Sequence, residues 1–118
     1  MRVAALLASL LLLPACGSDI QTGSMSEFCD DWAALDARYE GFDPETIDDV
    51  SAMVDAMAKD VRWPRTMQDD AEEAVEEMRT LIEEMDGVDI NSAEAQDIAD
   101  RADVDAFKRV GDFGDDSC

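Results

Sequence analysis

Apolar residues recur at helical spacing in four stretches of the chain. In the first stretch, Phe28, Trp32, Leu35 and Tyr39 follow one another at steps of four, three and four residues. This spacing places the four side chains on one face of a helix, and it predicts a helix over about residues 26–39.

The starts of the first two helices carry capping residues. Ser24 and Glu27 have the spacing of a capping box, in which each side chain accepts a hydrogen bond from a backbone amide of the first turn. Asp43 suits an N-cap, and Pro44 suits the first helical position. Glu45 follows at the positive end of the helix dipole, where an acid is favourable. We therefore predict that the second helix begins at Pro44, with an apolar face made of Ile47, Val50, Met53, Val54, Met57 and Val61.

A proline separates the second and third stretches. Pro64 predicts a break at Trp63, because the residue before a proline avoids the helical region. A third apolar stripe then runs from Met67 to Met85, and Gly87 suits the C-cap that ends it.

The fourth stretch is less regular than the others. Asn91 and Glu94 resemble a cap, and Ile98 and Ala102 continue one helix face, but the apolar phase then shifts at Val104, Phe107 and Val110. The pattern predicts either one bent helix or a short helix followed by a final helix over about residues 103–113, ended by Gly111, Gly114, Asp115 and Asp116.

These patterns predict an all-α fold. No alternating run of β-branched residues is present in the sequence, and the connections between the helical stretches are short. The expected architecture is an up-and-down bundle of four helices.

The N-terminus carries an export signal. A basic residue, Arg2, precedes an uncharged run from Val3 to Leu13. This run is too short to span a bilayer, which takes roughly 20 apolar residues, so it predicts a targeting segment rather than a membrane domain.

The end of the signal resembles the bacterial lipobox. Leu13 lies three positions before Cys16, and the small residue Ala15 lies just before it. The resemblance implies that residues 1–15 are removed and that Cys16 carries acyl chains such as palmitate, which hold the protein at the extracytoplasmic face of the cell membrane. An ordinary secretory signal cleaved near Ala15 is the alternative.

Three regions follow from this interpretation: a lipoprotein signal peptide over residues 1–15, a flexible polar tether over residues 16–25, and a helical domain over residues 26–118.

Removal of Arg2 takes the net charge from -21 to -22. Such a charge argues against binding nucleic acid, whose phosphates require basic patches, and against a surface that lies on anionic lipid.

The remaining cysteines form an even pair. If Cys16 carries lipid, Cys29 and Cys118 are left in an oxidising compartment, where a disulfide persists. In an up-and-down bundle the two residues lie at the same end, so we expect one bridge that closes the bundle, worth about 4 kcal/mol. Two free thiols are the alternative.

The composition removes the usual catalytic groups. The chain contains no histidine, which excludes the commonest general base, the Ser-His and Cys-His arrangements and most zinc sites. Glycine-rich phosphate loops are also absent. We expect no enzyme activity and no cofactor, with a carboxylate-based enzyme as a remote alternative.

Oxygen and sulfur ligands for a metal are present but poorly arranged. Asp86, Asp89 and Asn91 lack the ligand alternation and the glycine of a calcium loop, and we interpret the acidic tail of Asp112, Asp115 and Asp116 as solvated. Methionines on apolar helix faces are typical of core rather than of a copper(I) site; these are Met53, Met57, Met67, Met78 and Met85. We therefore predict no metal site.

The third helix carries the strongest polar signal. Its acidic residues are Asp69, Asp70, Glu72, Glu73, Glu76, Glu77, Glu83 and Glu84. Like charges four positions apart each destabilise the helix by about 0.2 to 0.5 kcal/mol, so this face either keeps the protein soluble or binds a basic partner or divalent cations. The predicted partner-binding residues are Glu72, Glu73, Glu76 and Glu77, together with Trp63 as an exposed aromatic contact.

The mature sequence resembles small helical lipoproteins of actinobacteria, which combine a lipobox, a Phe-Cys-x-x-Trp-x-x-Leu opening, a Pro-Glu helix start and a terminal Cys. Here the opening runs from Phe28 to Leu35, the helix start is Pro44-Glu45 and the last residue is Cys118. The group has no common activity. We therefore expect a membrane-anchored, non-catalytic interaction module that binds a basic protein or envelope component, with a divalent-cation-binding envelope lipoprotein as the alternative.

Overall fold

The computed structural model describes residues 20–118. Cys16, the predicted signal peptide and residues 16–19 of the predicted tether lie outside the described residues. The elements are β1 (Gln21–Gly23), α1 (Met25–Arg38), α2 (Ile47–Lys59), β2 (Arg62–Pro64), a 3-10 turn (Arg65–Met67), α3 (Gln68–Glu84), α4 (Ala93–Arg101) and α5 (Asp105–Ser117).

The capping box predicted for the first helix is present. The Glu27 amide donates to Ser24 Oγ at 3.1 Å, and the Ser24 amide donates to Glu27 Oε1 at 2.9 Å. Two amides that have no partner within the helix are thereby satisfied, and α1 begins at Met25.

The predicted start of the second helix is wrong by three residues. Asp43, Pro44 and Glu45 precede α2, whose N-cap is Thr46 in extended conformation. The Asp49 carboxylate explains the shift, because it accepts hydrogen bonds from the amides of Glu45 and Thr46, at 2.9 and 3.3 Å. The first turn therefore forms around Asp49 rather than around the proline.

The third helix ends where glycine allows it. After Glu84 the chain turns, and Gly87 has a φ of 74°, in the left-handed region that glycine adopts without steric cost. The C-cap is Met85 rather than the predicted Gly87, which lies in the turn that follows the helix.

The irregular fourth stretch forms two helices. α4 ends at Arg101 and α5 begins at Asp105, which selects the second of the two predicted alternatives. The expected end of the last helix is wrong, because Gly111 and Gly114 lie inside α5, which continues to Ser117.

A short parallel ladder joins the start of the described chain to the middle. Gln21 pairs with Arg62, Thr22 with Trp63 and Gly23 with Pro64. The sequence did not predict these two strands, since three residues are too few for an alternating pattern. They hold the last part of the predicted tether against the domain.

The helices pack around α3, which contacts α2, α4 and α5. α1 contacts β2 and α5. Residues 20–118 are thus mostly helical as predicted, but a four-helix up-and-down bundle is not confirmed. The main core residues are Phe28, Val54, Met57, Ala58, Val61, Trp63, Ala71, Ala74, Val75, Met78, Ala106 and Val110.

One disulfide links the two ends of the domain. Cys29 in α1 bonds to Cys118, the residue after α5, with their Cα atoms 5.4 Å apart. The predicted pair is confirmed. No helix within residues 20–118 is both long and apolar enough to cross a membrane.

Candidate functional site

The acidic residues of α3 do not form one outer face. Asp70 and Glu73 turn toward α5, where Arg109 Nη2 lies 3.4 Å from Asp70 Oδ1 and 3.3 Å from Glu73 Oε2. Glu72 is half-buried on another side of the helix and accepts a hydrogen bond from Gln68 at 3.4 Å. These three carboxylates therefore have partners within the chain.

Glu77 caps the last helix from a distance. Its carboxylate accepts hydrogen bonds from the amides of Ala106 and Phe107, at 3.3 and 3.0 Å. α5 has Val104 at its N-cap, whose side chain cannot accept a hydrogen bond, so α3 supplies the acceptor that the local sequence lacks. Sequence spacing alone offers no signal for this contact across 29 residues.

A groove about 760 Å³ in volume lies between α3 and the junction of α4 with α5. We call it the acidic groove. Its carboxylates belong to Glu73, Glu76, Glu77, Glu84 and Asp103, and its other lining residues are Thr80, Leu81, Ile98, Arg101 and Ala102.

Two carboxylates of the acidic groove are free. Glu76 and Glu84 are exposed, and within the described part of the chain neither has a hydrogen-bond or ion-pair partner. Two turns of helix separate them, with Thr80 midway, so they line the same side of the groove. The one cationic lining residue, Arg101, lies 3.8 Å from the Asp97 carboxylate.

The floor of the groove is apolar. Leu81 and Ile98 belong to a small hydrophobic cluster around Met85 and Ala95 that joins α3 to α4. Two unpaired carboxylates, Glu76 and Glu84, beside an aliphatic floor suit a ligand that is both cationic and partly apolar. The site therefore includes Glu73, Glu76 and Glu77 from the sequence prediction but not Glu72, and it adds Glu84 and Asp103.

The prediction of an exposed Trp63 is wrong. Trp63 has no solvent exposure, and its indole N-H donates to the Met57 carbonyl at 3.1 Å. Its ring packs 5.2 Å from Phe28 and 5.9 Å from Trp32, centroid to centroid. The break before Pro64 does occur, but pairing of β2 with β1 and this aromatic cluster bury the side chain.

The arginine beside Trp63 has a structural role. Arg62 donates to both oxygens of Asp31, at 2.8 and 3.0 Å, and to Glu27 at 2.6 Å. These hydrogen bonds lower the pKa of the Asp31 carboxyl. The Ser24 amide, with Arg62 second, lowers the pKa of Glu27. The pKa of Arg62 is raised, chiefly by Asp31. The network fixes β2 to α1.

No metal centre is formed by the residues from Ile20 onward, because no three of their acidic or cysteine side chains converge on one point. Asp89, in the loop after α3, is exposed and accepts a hydrogen bond from the Asn91 amide at 2.9 Å. Within residues 20–118, the carboxylates of the acidic groove are thus distributed along its walls and not clustered in threes.

Comparison of the chain with protein-family models, with curated proteins and with solved structures finds no match.

Proposed function

We propose that this chain is a lipid-anchored, non-catalytic lipoprotein of the extracytoplasmic face of a membrane, and that its acidic groove binds a basic segment of an envelope protein. The lipobox-like sequence ending at Cys16 supports the location. The disulfide between Cys29 and Cys118 agrees with an oxidising compartment.

The binding proposal rests on one observation: two carboxylates without partners lie beside an apolar floor in the same groove. Glu76 and Glu84 stabilise no contact within the described domain, so their charge is available to a ligand. Leu81 and Ile98 lie between α3 and α4, in reach of an aliphatic group that enters the groove. A lysine or arginine side chain has this combination, because a charged group ends an aliphatic stem.

The binding test uses a heptapeptide with lysines on both sides of a central leucine. We expect saturable binding to the full, disulfide-bonded chain in isothermal titration calorimetry, weakened by added salt because the partners are partly exposed. Replacing the two free acids together, Glu76→Gln with Glu84→Gln, should weaken binding about threefold to thirtyfold, the effect of losing two exposed ion pairs.

The matched control removes the same charge elsewhere. Glu83→Gln with Glu94→Gln changes two exposed acids outside the groove and should leave the affinity nearly unchanged. Equal weakening by both double variants would show a nonspecific field effect and contradict the proposal. Tighter binding of the glutamate version of the peptide, or a saturable response to calcium lost in the Glu76 and Glu84 double variant, would also contradict it.

The location is tested in cells with labelled palmitate. Cys16→Ser should abolish incorporation of the label and release the protein from the membrane fraction, because two acyl chains give stable anchoring. Cys29→Ser, the control, should keep the label. Labelling of the Cys16→Ser variant would contradict the lipid anchor.

A further inference from the structure

A second pocket lies between α1, α2 and α5. Its volume is about 150 Å³, and its lining includes Trp32, Tyr39, Met57 and Phe107. An apolar cavity of this size accommodates a benzene ring. Aromatic rings and methionine sulfur also make favourable contacts with an aromatic guest.

The pocket has a single charged lining residue. Asp36 lies one turn of α1 after Trp32 and shares its face. Its carboxylate is exposed, and among residues 20–118 it has no hydrogen-bond or ion-pair partner. A guest that fills the apolar part is therefore within reach of one free negative charge.

Gly111 keeps one wall of the pocket open. Glycine is unfavourable inside a helix, and α5 contains two. Packing explains the glycine at position 114, because a Cβ on Gly114 would lie 2.6 Å from Trp32 Cζ2. A Cβ on Gly111, by contrast, would meet no atom within 4 Å. Because Gly111 has no side chain, space is left in the pocket. No contact within the described domain requires a glycine at this position.

We propose that this pocket binds a small amine with an aromatic or branched aliphatic body. The body of about six heavy atoms fills the space beside Trp32 and Gly111, and the ammonium group pairs with Asp36. The rings of Trp32 and Tyr39 add cation-π attraction, and the net charge of -21 disfavours an anion of the same shape. This site is independent of the acidic groove.

The test compares three probes of similar size: 2-phenylethylammonium, 2-phenylethanol and phenylacetate. NMR signals of ¹³C-labelled methionine methyls report on the site, since Met53 and Met57 line the pocket and Met85 lies in the other cluster. With the full, disulfide-bonded chain, we expect the ammonium probe to shift the Met53 and Met57 signals saturably and to leave Met85 in place. The alcohol should bind about threefold more weakly, because it lacks the ion pair.

Two pairs of variants locate the guest. Gly111→Leu fills the pocket and should weaken binding about tenfold or more, whereas Ala99→Leu places the same side chain on the exposed side of α4 and should not. Asp36→Asn should reduce the affinity of the ammonium probe to that of the alcohol, with Asp112→Asn as the control of equal charge. Because Asp36→Asn adds no bulk, it gives a result even if Gly111→Leu fails to fold.

Three results obtained with the probes and the pocket variants would overturn the proposal. They are the absence of a saturable shift with the ammonium probe, equal binding of phenylacetate, and unchanged affinity in both Gly111→Leu and Asp36→Asn. Loss of binding in the Glu76 and Glu84 double variant would also overturn it, since that result would place the amine in the acidic groove instead.

Discussion

At the scale of single residues, close packing decides which side chains are tolerated. Gly114 is buried in α5 directly beneath the indole of Trp32, which itself contacts Phe28 and Trp63. The ring cannot retreat without disturbing this aromatic cluster. The cost of an extra methyl group here therefore exceeds the helix propensity that alanine adds.

We expect Gly114→Ala to lower the free energy of unfolding by about 1 to 3 kcal/mol, the usual penalty for overpacking a core. Thermal unfolding followed by circular dichroism measures the change. Gly111→Ala is the matched control, because its Cβ meets open space, and it should raise stability by about 0.5 to 1 kcal/mol. Equal effects of the two substitutions would contradict this account of Gly114.

At the scale of secondary-structure elements, one arginine joins three of them. Arg62 belongs to β2, its partners Glu27 and Asp31 belong to α1, and its own strand pairs with β1. Asp31 also accepts a hydrogen bond from the Arg62 amide at 2.9 Å. The ionised Asp31 carboxylate thus holds both the side chain and the backbone of β2.

Replacing Asp31 by asparagine should cost about 1 to 2 kcal/mol at neutral pH, since asparagine keeps one acceptor and loses the charge. The pKa of Asp31 is lower in the folded chain than its ordinary value near 4. Its contribution is therefore complete above about pH 5 and is lost as the pH falls below about 4 toward the folded pKa.

The measurement is the difference in unfolding free energy between wild type and Asp31→Asn, followed by urea denaturation from pH 7 to pH 2.5. Taking the difference removes the change common to the other carboxylates. The difference should shrink with acid, and Asp112→Asn should show no such trend. A difference that stays constant with pH would mean that the Asp31 charge is unimportant.

At the scale of the whole molecule, the disulfide links residues that are 89 positions apart. It ties α1, which packs on β2, to the end of α5, which packs mainly along α3. Because the chain is small and strongly charged, self-repulsion favours the expanded state. A covalent link between the ends limits that expansion.

The double variant Cys29→Ser with Cys118→Ser should be less stable than the wild type by about 2 to 5 kcal/mol, from the freedom that the unfolded chain regains. Chemical denaturation of both proteins, with and without reductant, measures this loss. Reductant should bring the wild type to the stability of the double variant and leave the variant unchanged. A wild type unaffected by complete reduction would contradict this role.

The sequence by itself determined the features that depend on neighbours a few residues apart. The helical content, the capping box at Ser24 and the end of α3 before Gly87 follow from hydrogen bonds within one or two turns. The local sequence gave a wrong prediction where contacts between distant residues were stronger. The glycines predicted the end of the last helix, but α5 continues through Gly114, where the helix packs closely against Trp32.

Only the tertiary structure decided which distant groups meet. The burial of Trp63, the cap that Glu77 provides for α5 and both pockets depend on residues about 20 to 80 positions apart. The sequence identified the acids of α3 as a candidate site, but not which of them are free, because pairing with Arg109 and with the α5 amides requires the packed helices. Folding assigned Glu73 and Glu77 to internal contacts and left Glu76 and Glu84 open to a ligand.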